Sequence, residues 1–371
     1  MKMIEKVIFF LFFSKKKISK PKKNKILIFD GTNCLPVLRS LKIYDIEKLC
    51  IRGEELNFYI VLKTLQKKFY LILQPKLFWK EYIFNYIHIV DPKIVITFID
   101  NNPFFYTLKK KYSSKIFISI QNGYRFKKGD IFGNLSIRSK QNLACDYVFC
   151  FNKNVAKLYR KFIKCKTIVI GSLKNNLTKI SSKKKSDKIL LISSYGLKSE
   201  TIEKKLIPIL LIFCKRKNFK LLILGRTGTQ KEMSFYEELN NSHFFDFYNN
   251  QGQKDLHFSY NLIDNCNTII SLNATLGYEA LGRGKKTIFL NFNNREINCK
   301  SYVTYNWPSK FSREGFNWLT VFNKKKILRK LENISNLSNK KWSKKYKNQY
   351  NFIMPIDYHN KKLKNVIKKS L

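Results

Sequence analysis

Short apolar runs alternate with longer amphipathic segments along most of the chain, and this alternation predicts a parallel α/β architecture. Each apolar run of the first half ends in polar or glycine residues, as strands do at the carboxyl edge of a doubly wound sheet. The runs that predict strands in the first half are residues 25–30, 93–100, 115–121, 147–151 and 167–171. We therefore expect the first half to fold as one doubly wound domain.

The same alternation restarts in the second half, after a polar and basic stretch at residues 174–187 whose composition is typical of a linker. The runs that predict strands there are residues 188–193, 220–225, 268–271 and 286–291. The expected fold class is therefore α/β, with two Rossmann-type, doubly wound domains that face each other across a cleft. The expected organisation is a basic leader (1–24), a first domain (25–173), the linker (174–187), a second domain (188–325) and a basic helical tail (326–371).

Composition agrees with a folded protein, but the charge is unusual. The chain has 371 residues, 44% of them hydrophobic and 26% charged, which suits two globular domains. Its net charge of +47 could serve an anionic partner, either nucleic acid or a membrane surface. The alternative is compositional drift, because Lys, Asn, Ile, Phe and Tyr are abundant together and are specified by A+T-rich codons. Lysines are spread along the chain rather than gathered in one patch, which favours drift and makes a nucleic-acid partner an unfavoured reading.

The leader combines an apolar run, Val7–Phe13, with the lysines that follow it from Lys15 to Lys25. The run is far shorter than the roughly 20 residues that span a bilayer, and no cleavage site of a signal peptide is evident. An apolar patch beside a polybasic segment can hold a protein on an anionic membrane face. A frayed leader, or a misassigned start codon, explains the same residues equally well. We expect a cytoplasmic protein, with peripheral contact at the inner face of the cell membrane left open.

Eight cysteines are present, and none forms a Cys-x-x-Cys pair or a Cys/His cluster with zinc spacing. Most of them lie inside apolar runs, which indicates buried free thiols in a reducing compartment. The sequence therefore predicts no metal site.

The segment from Ser271 to Ala280 carries the strongest chemical signal. A predicted strand ends at Ser271, and a helix is expected to begin near Thr275, with Asn273 between them. Hydroxyl and amide groups at a helix N-terminus, together with free backbone N–H groups, attract phosphate. Gly277 permits a close approach, and the Glu279 carboxylate can accept two hydrogen bonds from a ribose. A simple N-cap is the alternative for any one of these residues, whereas the combination favours a nucleotide site.

The residues from Ser271 to Lys286 resemble the donor-site segment of the GT-B glycosyltransferase superfamily. More narrowly, they resemble a family of bacterial surface-carbohydrate biosynthesis proteins that assemble capsule or lipopolysaccharide O-chains. The other segments that resemble this family, in the same order, are 97–102, 120–125, 170–176, 224–226 and 259–260. Together the resemblance extends over about residues 25–325.

The resemblance implies a GT-B-like fold in which the second half binds a nucleotide-sugar donor, without a metal or other cofactor. Ser271, Thr275 and Glu279 would then hold the phosphates and ribose of the donor. Gly225 and Arg226 follow a predicted strand, and the Arg226 guanidinium is suited to a diphosphate, although a surface loop is nearly as good an explanation. A lipid-linked or oligosaccharide acceptor would lie against the first half.

The candidate catalytic residue is Asp100, which ends a predicted strand and could take the proton of an acceptor hydroxyl. A carboxylate in that place more often caps the following turn. The candidate acceptor or cleft contacts end the same strand and the next predicted one; they are Asn101, Gln121, Asn122, Gly123 and Arg125. A plain turn is the alternative for the Asn-Gly pair.

Transfer of a sugar from a nucleotide donor, in surface-polysaccharide biosynthesis, is the function that the sequence favours. A sugar-nucleotide 2-epimerase on the same fold is the enzymatic alternative, although the predicted cleft is poor in the acidic and histidine residues that it would need. A non-catalytic, basic membrane-surface binding protein is the alternative from another class.

Overall fold

The computed structural model describes residues 14–67, 70, 73–125, 131–133, 135–181, 186–197, 199–240, 245–249, 255, 257–272, 274–292 and 314–371. A six-stranded and a seven-stranded α/β sheet, parallel except for one edge strand, organise these residues beside a small two-stranded sheet, which confirms the expected fold class. The strands are β1 (Lys15–Lys17), β2 (Ile26–Phe29), β3 (Glu47–Leu49), β4 (Glu55–Asn57), β5 (Ile94–Thr97), β6 (Ile116–Ile120), β7 (Ala144–Cys150), β8 (Lys164–Val169), β9 (Lys188–Ile192), β10 (Lys220–Leu224), β11 (Phe245–Tyr248), β12 (Thr268–Ser271), β13 (Lys286–Leu290), β14 (Glu314–Gly315) and β15 (Trp318–Leu319). The α-helices are α1 (Leu35–Ser40), α2 (Phe58–Lys67), α3 (Pro75–Val90), α4 (Pro103–Lys111), α5 (Lys153–Phe162), α6 (Glu200–Lys217), α7 (Gln230–Leu239), α8 (Phe258–Asp264), α9 (Thr275–Gly282), α10 (Lys324–Ser335), α11 (Asn339–Ile353) and α12 (Lys361–Ser370).

The first sheet has six strands in the order β3-β2-β5-β6-β7-β8, all parallel. The chain order reverses between β2 and β5, where Phe29 lies opposite Thr97. In an open α/β sheet, ligands bind outside the carboxyl ends of the strands at such a reversal. The loops that follow Phe29 and Thr97 are therefore where this sheet is expected to contact a ligand.

The second sheet has seven strands in the order β11-β10-β9-β12-β13-β15-β14. Its first five strands have the doubly wound order 3-2-1-4-5, and β14 is antiparallel to β15. The reversal of chain order lies between β9 and β12, where Ile192 lies opposite Ser271. Both strands are buried at every position after Lys188, since helices cover both faces of the sheet. The candidate segment at Ser271 thus begins at the reversal point of the second sheet.

The tail returns to the first half. Two amphipathic helices, α10 and α11, pack on the second sheet, and Trp342 of α11 is fully buried there. The chain then crosses back, and helix α12 inserts Leu363 and Ile367 into the core beside Ile26 and Ile28 of the first sheet. The last helix therefore belongs to the first half by packing, although it follows the second half in sequence.

Two segments cross between the halves, and they are bound to each other. The first follows β8 and contains the start of the expected linker; the second contains residues 354–360. The Asn176 amide donates to the Asn360 side chain at 2.8 Å, and the Asn176 oxygen accepts from the Asp357 backbone N–H at 3.0 Å. Asn175, Asn176 and Asn360 are all buried. The beginning of the expected linker is thus packed rather than free.

Part of the expected leader is also structured. Lys15–Lys17 forms strand β1 beside β4, and the Lys17 ammonium bonds to Glu55 at 2.8 Å. The apolar run Val7–Phe13 lies outside the described residues. Within the described parts of the chain, no helix is both long and apolar enough to cross a bilayer. Seven of the cysteines are described, and all seven are free thiols, five of them buried.

Candidate functional site

Helix α9 begins at the reversal point of the second sheet and carries three of the predicted donor-site residues. Helix packing brings Gly277 directly over Ser271, since a Cβ atom at position 277 would lie 2.3 Å from the Ser271 Oγ. This hydroxyl is fully buried and has no hydrogen-bond partner among the described residues. Gly277 thus allows the helix to approach the strand, and Ser271 faces the helix rather than the cleft. Asn273 lies outside the described residues.

The first half reaches this helix through the loop that follows β6. The Thr275 Oγ1 accepts a hydrogen bond from the Tyr124 backbone N–H at 3.0 Å. The Tyr124 ring stacks on Tyr278, with centroids 3.9 Å apart and planes inclined by 12°. Tyr124 is consequently buried in the core of the second half. The predicted contacts at Gly123 and Thr275 are thereby brought together from opposite halves of the chain.

Glu279 lies one turn further along α9 and is 4% exposed. Its Oε1 accepts a hydrogen bond from the Ser172 hydroxyl, and its Oε2 accepts one from the Tyr260 hydroxyl at 3.0 Å. Burial raises the pKa of Tyr260 well above its ordinary value, and the charge of Glu279 adds to that shift. Tyr260 therefore stays protonated and acts as the donor.

An ion pair next to Glu279 fixes the first crossing segment to the second half. Arg283 follows α9 and bonds to Asp264 of α8, with both side chains buried. The same guanidinium donates to the Asn175 side chain at 2.8 Å and to the Thr178 carbonyl at 3.2 Å. These bonds hold the crossing segment against α9, close to Ser172.

Asp100 is fully buried at the carboxyl edge of the first sheet. Its carboxylate accepts hydrogen bonds from the Arg125 guanidinium, the Tyr159 hydroxyl and the Asn122 backbone N–H. Burial raises the pKa of Tyr159, with further contributions from Asp100 and Tyr106, so this hydroxyl remains a donor. Asp100 would have to lose one of these donors before it could take a proton from a substrate. The turn after β5 is capped by Asn102, which accepts from the Phe104 N–H at 3.1 Å, and not by Asp100.

The remaining first-half candidates differ in their exposure. Gln121 is buried, and its side chain bridges the Phe151 N–H and the Gly123 carbonyl, each at 2.8 Å. The Asn122 side chain accepts from Arg125 at 2.8 Å and is half-buried. Asn101 is exposed. Gln121 and Arg125 thus shape the loop from inside, whereas Asn101 faces solvent.

The loop at Gly225 and Arg226 is built around an internal carboxylate. Glu232 is fully buried and accepts the backbone N–H groups of Arg226, Thr227 and Gly228 at 2.6 to 2.9 Å. The Arg226 guanidinium is exposed and donates to the Tyr195 carbonyl at 2.9 Å. The backbone donors of the loop are therefore directed to Glu232, while the Arg226 side chain lies between the loops that follow β9 and β10.

Three polar residues of the site were not among the sequence candidates. Ser172 and Tyr260 lie in segments that resemble the family, and only the fold shows that both contact Glu279. Asp30 follows β2 with a left-handed φ of 62°, is fully buried, and pairs with Arg52 through Oδ2 at 2.8 Å. Its Oδ1 has no hydrogen-bond partner in the described parts of the chain. The sequence could have indicated Asp30, because it is the polar residue at the end of the first predicted strand.

Solved structures of two kinds of enzyme share this fold. The UDP-GlcNAc 2-epimerase of Methanocaldococcus jannaschii, in complex with UDP-GlcNAc and UDP, matches with a TM-score of 0.52 and 14% identity, over 96% of this chain and 99% of that chain. MnaA of S. aureus, in a co-structure with UDP, matches with a TM-score of 0.53 and 12% identity, over 96% of both chains. The wall teichoic acid polymerase TagF matches with a TM-score of 0.54 and 11% identity, over 98% of this chain and 92% of that chain. With sequence identities of 11% to 14%, these matches show that this chain shares their fold.

The family is established by sequence. Comparison with curated proteins finds no match. A model of the family described as "putative O-antigen biosynthesis protein" matches residues 118–207 and 201–371, which contain Tyr124, Ser172, Tyr260 and Glu279. The match covers more than half of this chain, and its fold is the two-domain GT-B fold of the solved structures above. The chain therefore belongs to that family of O-antigen biosynthesis proteins.

Proposed function

We propose that the protein is a glycosyltransferase of surface-polysaccharide biosynthesis that transfers a sugar from a nucleotide-sugar donor to a glycan or lipid-linked acceptor. The observation that carries this proposal is the meeting of the two halves at α9. The Tyr124 N–H of the first half binds Thr275 at the start of that helix, and Glu279 follows one turn later. A donor bound at the helix would therefore lie directly beside the loops of the first half.

The donor is assigned to the second half. The N-terminus of α9 offers backbone N–H groups and the favourable end of the helix dipole to a phosphate. Glu279 accepts the ribose hydroxyls, and the exposed Arg226 guanidinium approaches the diphosphate from the neighbouring loop. UDP or UDP-GlcNAc is present in two of the structures that share the fold, and CDPG in TagF, which supports a nucleoside diphosphate donor such as a UDP-sugar.

The acceptor is assigned to the first half, at the loops that follow β2, β5 and β6. Asn101 is the exposed candidate there, and Asn122 and Gly123 are half-buried. Asp100 was the sequence candidate for the base, and its three donors suit a residue that positions Arg125 and Asn122. A base role for Asp100 requires Arg125 or Tyr159 to move away during the reaction.

We further propose that transfer needs no metal ion or other cofactor, so that activity persists in EDTA. The acceptor is proposed to be lipid-linked and to be met at the cytoplasmic face of the membrane. The lysine-rich leader and the net charge of +47 support peripheral contact with anionic lipid.

A thermal-shift panel of UDP-, GDP- and CMP-sugars tests donor binding, because a ligand that prefers the folded state raises apparent stability. We expect one nucleotide class to raise the melting temperature of the wild-type protein. In Glu279→Gln the shift, measured against the unliganded variant, should fall to a small fraction of the wild-type value. Glu238→Ala removes an exposed carboxylate of helix α7 and should keep the full shift.

Product analysis separates the transferase from the epimerase. A transferase releases free nucleoside diphosphate when acceptor is supplied, whereas a 2-epimerase leaves the nucleotide attached and changes the configuration of the sugar. No shift with any nucleotide at millimolar concentration would reject both enzymes.

A further inference from the structure

We propose that Ser172 and Tyr260 are positioning residues that hold the Glu279 carboxylate in the orientation needed to bind both hydroxyls of a ribose. The proposal rests on the proposed function, since it specifies how the donor site recognises a ribonucleotide. Neither residue is proposed to touch the donor.

Each oxygen of the Glu279 carboxylate accepts one of the two hydrogen bonds. An ionised carboxylate has about four lone-pair sites, two on each oxygen. Ser172 occupies one site on Oε1, and Tyr260 occupies one site on Oε2. One acceptor site is left on each oxygen, which is the arrangement that a pair of adjacent ribose hydroxyls requires. With donors on both oxygens, rotation of the carboxylate about its last bond would break a hydrogen bond.

The two donors come from different parts of the fold. Tyr260 lies on helix α8 of the second half, and Ser172 lies in the segment that crosses from the first half. Both side chains are buried, Tyr260 at 3% and Ser172 at 3% exposure. The orientation of the Glu279 carboxylate therefore depends on how the crossing segment packs against the second half.

Hydrogen bonds to Arg283 hold the segment that contains Ser172 in place. Arg283 bonds to Asn175 and to the Thr178 carbonyl, while its pair with Asp264 holds the guanidinium in place. Ser172 is thus held near Glu279 by a network whose side chains, those of Arg283, Asp264 and Asn175, are all buried. Such a network suits a rigid, preorganised site, in which the carboxylate does not have to be ordered when the donor binds.

The experiment compares the affinity for UDP with the affinity for 2′-deoxy-UDP by titration calorimetry, on the full-length chain. The deoxy compound lacks one of the two hydroxyls that would bond to Glu279. We expect the wild type to bind UDP about tenfold or more tightly than 2′-deoxy-UDP, because a hydrogen bond to a charged group contributes that much to affinity. Ser172→Ala and Tyr260→Phe should each reduce this preference about threefold or more, and the double variant should bind both compounds almost equally.

Two control variants remove equivalent buried hydroxyls elsewhere. Tyr236→Phe removes a buried tyrosine that donates to Glu203 in the same half, and Ser40→Ala removes a buried serine that contacts Asn360 of the second crossing segment. Both controls should keep the wild-type preference for UDP even if they lower stability. A merely structural role for Ser172 and Tyr260 would weaken both ligands equally and leave the ratio unchanged.

The outcomes are distinguishable. An unchanged preference in both Ser172→Ala and Tyr260→Phe overturns the positioning role and leaves the proposed function intact. A higher preference in Ser172→Ala also overturns it, since ribose would then compete with the serine. If neither UDP, CDP nor GDP binds the wild type, the proposed function fails together with this inference.

Discussion

Asp100 and Arg125 are buried opposite each other at the carboxyl edge of the first sheet, with side-chain exposures of 0% and 5%. Removing one partner of a buried pair leaves an uncompensated charge, which costs about 3–5 kcal/mol. We therefore expect Asp100→Asn to lower the free energy of unfolding by about that amount, because Arg125 keeps its charge. Urea denaturation followed by circular dichroism measures the change.

A matched control separates this effect from the loss of any carboxylate. Asp91→Asn removes an acidic side chain that is 64% exposed and pairs with Lys115, and it should leave stability nearly unchanged. The double variant Asp100→Asn/Arg125→Met should recover part of the loss, since no buried charge is left unpaired. If Asp100→Asn instead keeps full stability and loses turnover by about a hundredfold or more, Asp100 is the catalytic base.

The sequence selected Asp100, Arg125 and Glu279 as candidates, but it did not show which residues they would contact. Asp100 and Arg125 were selected because they lie at or just after predicted strand ends, and Glu279 because it lies one helical turn after Thr275. Their partners come from distant positions: Ser172 is 107 residues before Glu279, and Tyr159 is 59 residues after Asp100. Such pairings depend on how the elements pack, which local periodicity does not encode.

Among the secondary structure elements, helix α12 depends on one residue that precedes it. Asn360 is buried with a left-handed φ of 54°, and its amide donates to the Ser40 hydroxyl at 2.9 Å and to the Leu173 carbonyl at 3.1 Å. We expect Asn360→Ala to lower the free energy of unfolding for two reasons. Alanine is strained in the left-handed conformation, and each buried group left without a hydrogen bond costs about 1–3 kcal/mol. Hydrogen exchange should show that the amides of α12 lose protection before those of the first sheet.

Asn218 supplies the control for this variant. It ends helix α6 with a φ of 52° but is exposed. Asn218→Ala therefore introduces the same backbone strain as Asn360→Ala but removes no buried hydrogen bond. The difference in stability between the two variants therefore measures the contribution of the hydrogen bonds at the crossing. Equal losses in both, with α12 still protected, would contradict this account.

The elements differ in how far the sequence determined them. All nine predicted strands are present. Most are runs of apolar residues that a sheet covered on both faces requires, whereas the edge strand Lys164–Val169 is only partly buried. Short strands at the sheet edges, such as Glu47–Leu49 and Glu314–Gly315, were missed, because two or three residues carry no detectable period. The basic helical tail expected over residues 326–371 contains three α-helices, α10, α11 and α12, and the Ser338 side chain caps the second of them.

In the whole molecule, the two halves are joined by more than a linker. The crossing segments are bound to each other, Tyr124 of the first half is buried in the core of the second, and Ser172 bonds to Glu279. Composition predicted a linker over residues 174–187, because polar and basic residues are typical of linkers. Asn175 and Asn176 are instead buried and bonded, so the same residue types serve here as hydrogen-bonding groups.

The net charge of +47 acts on the whole molecule, since 72 basic residues cannot be neutralised by 25 acidic ones. Repulsion between unpaired surface cations opposes the compact state, and salt screens it, shortening the Debye length from about 30 Å at 0.01 M to about 8 Å at 0.15 M. We expect the melting temperature to rise as NaCl is increased over this range. Sodium sulfate at equal ionic strength should produce a similar rise if screening is the cause. A large extra stabilisation by millimolar sulfate would indicate a discrete anion site instead, and a melting temperature that falls with NaCl would show that surface ion pairs outweigh the repulsion.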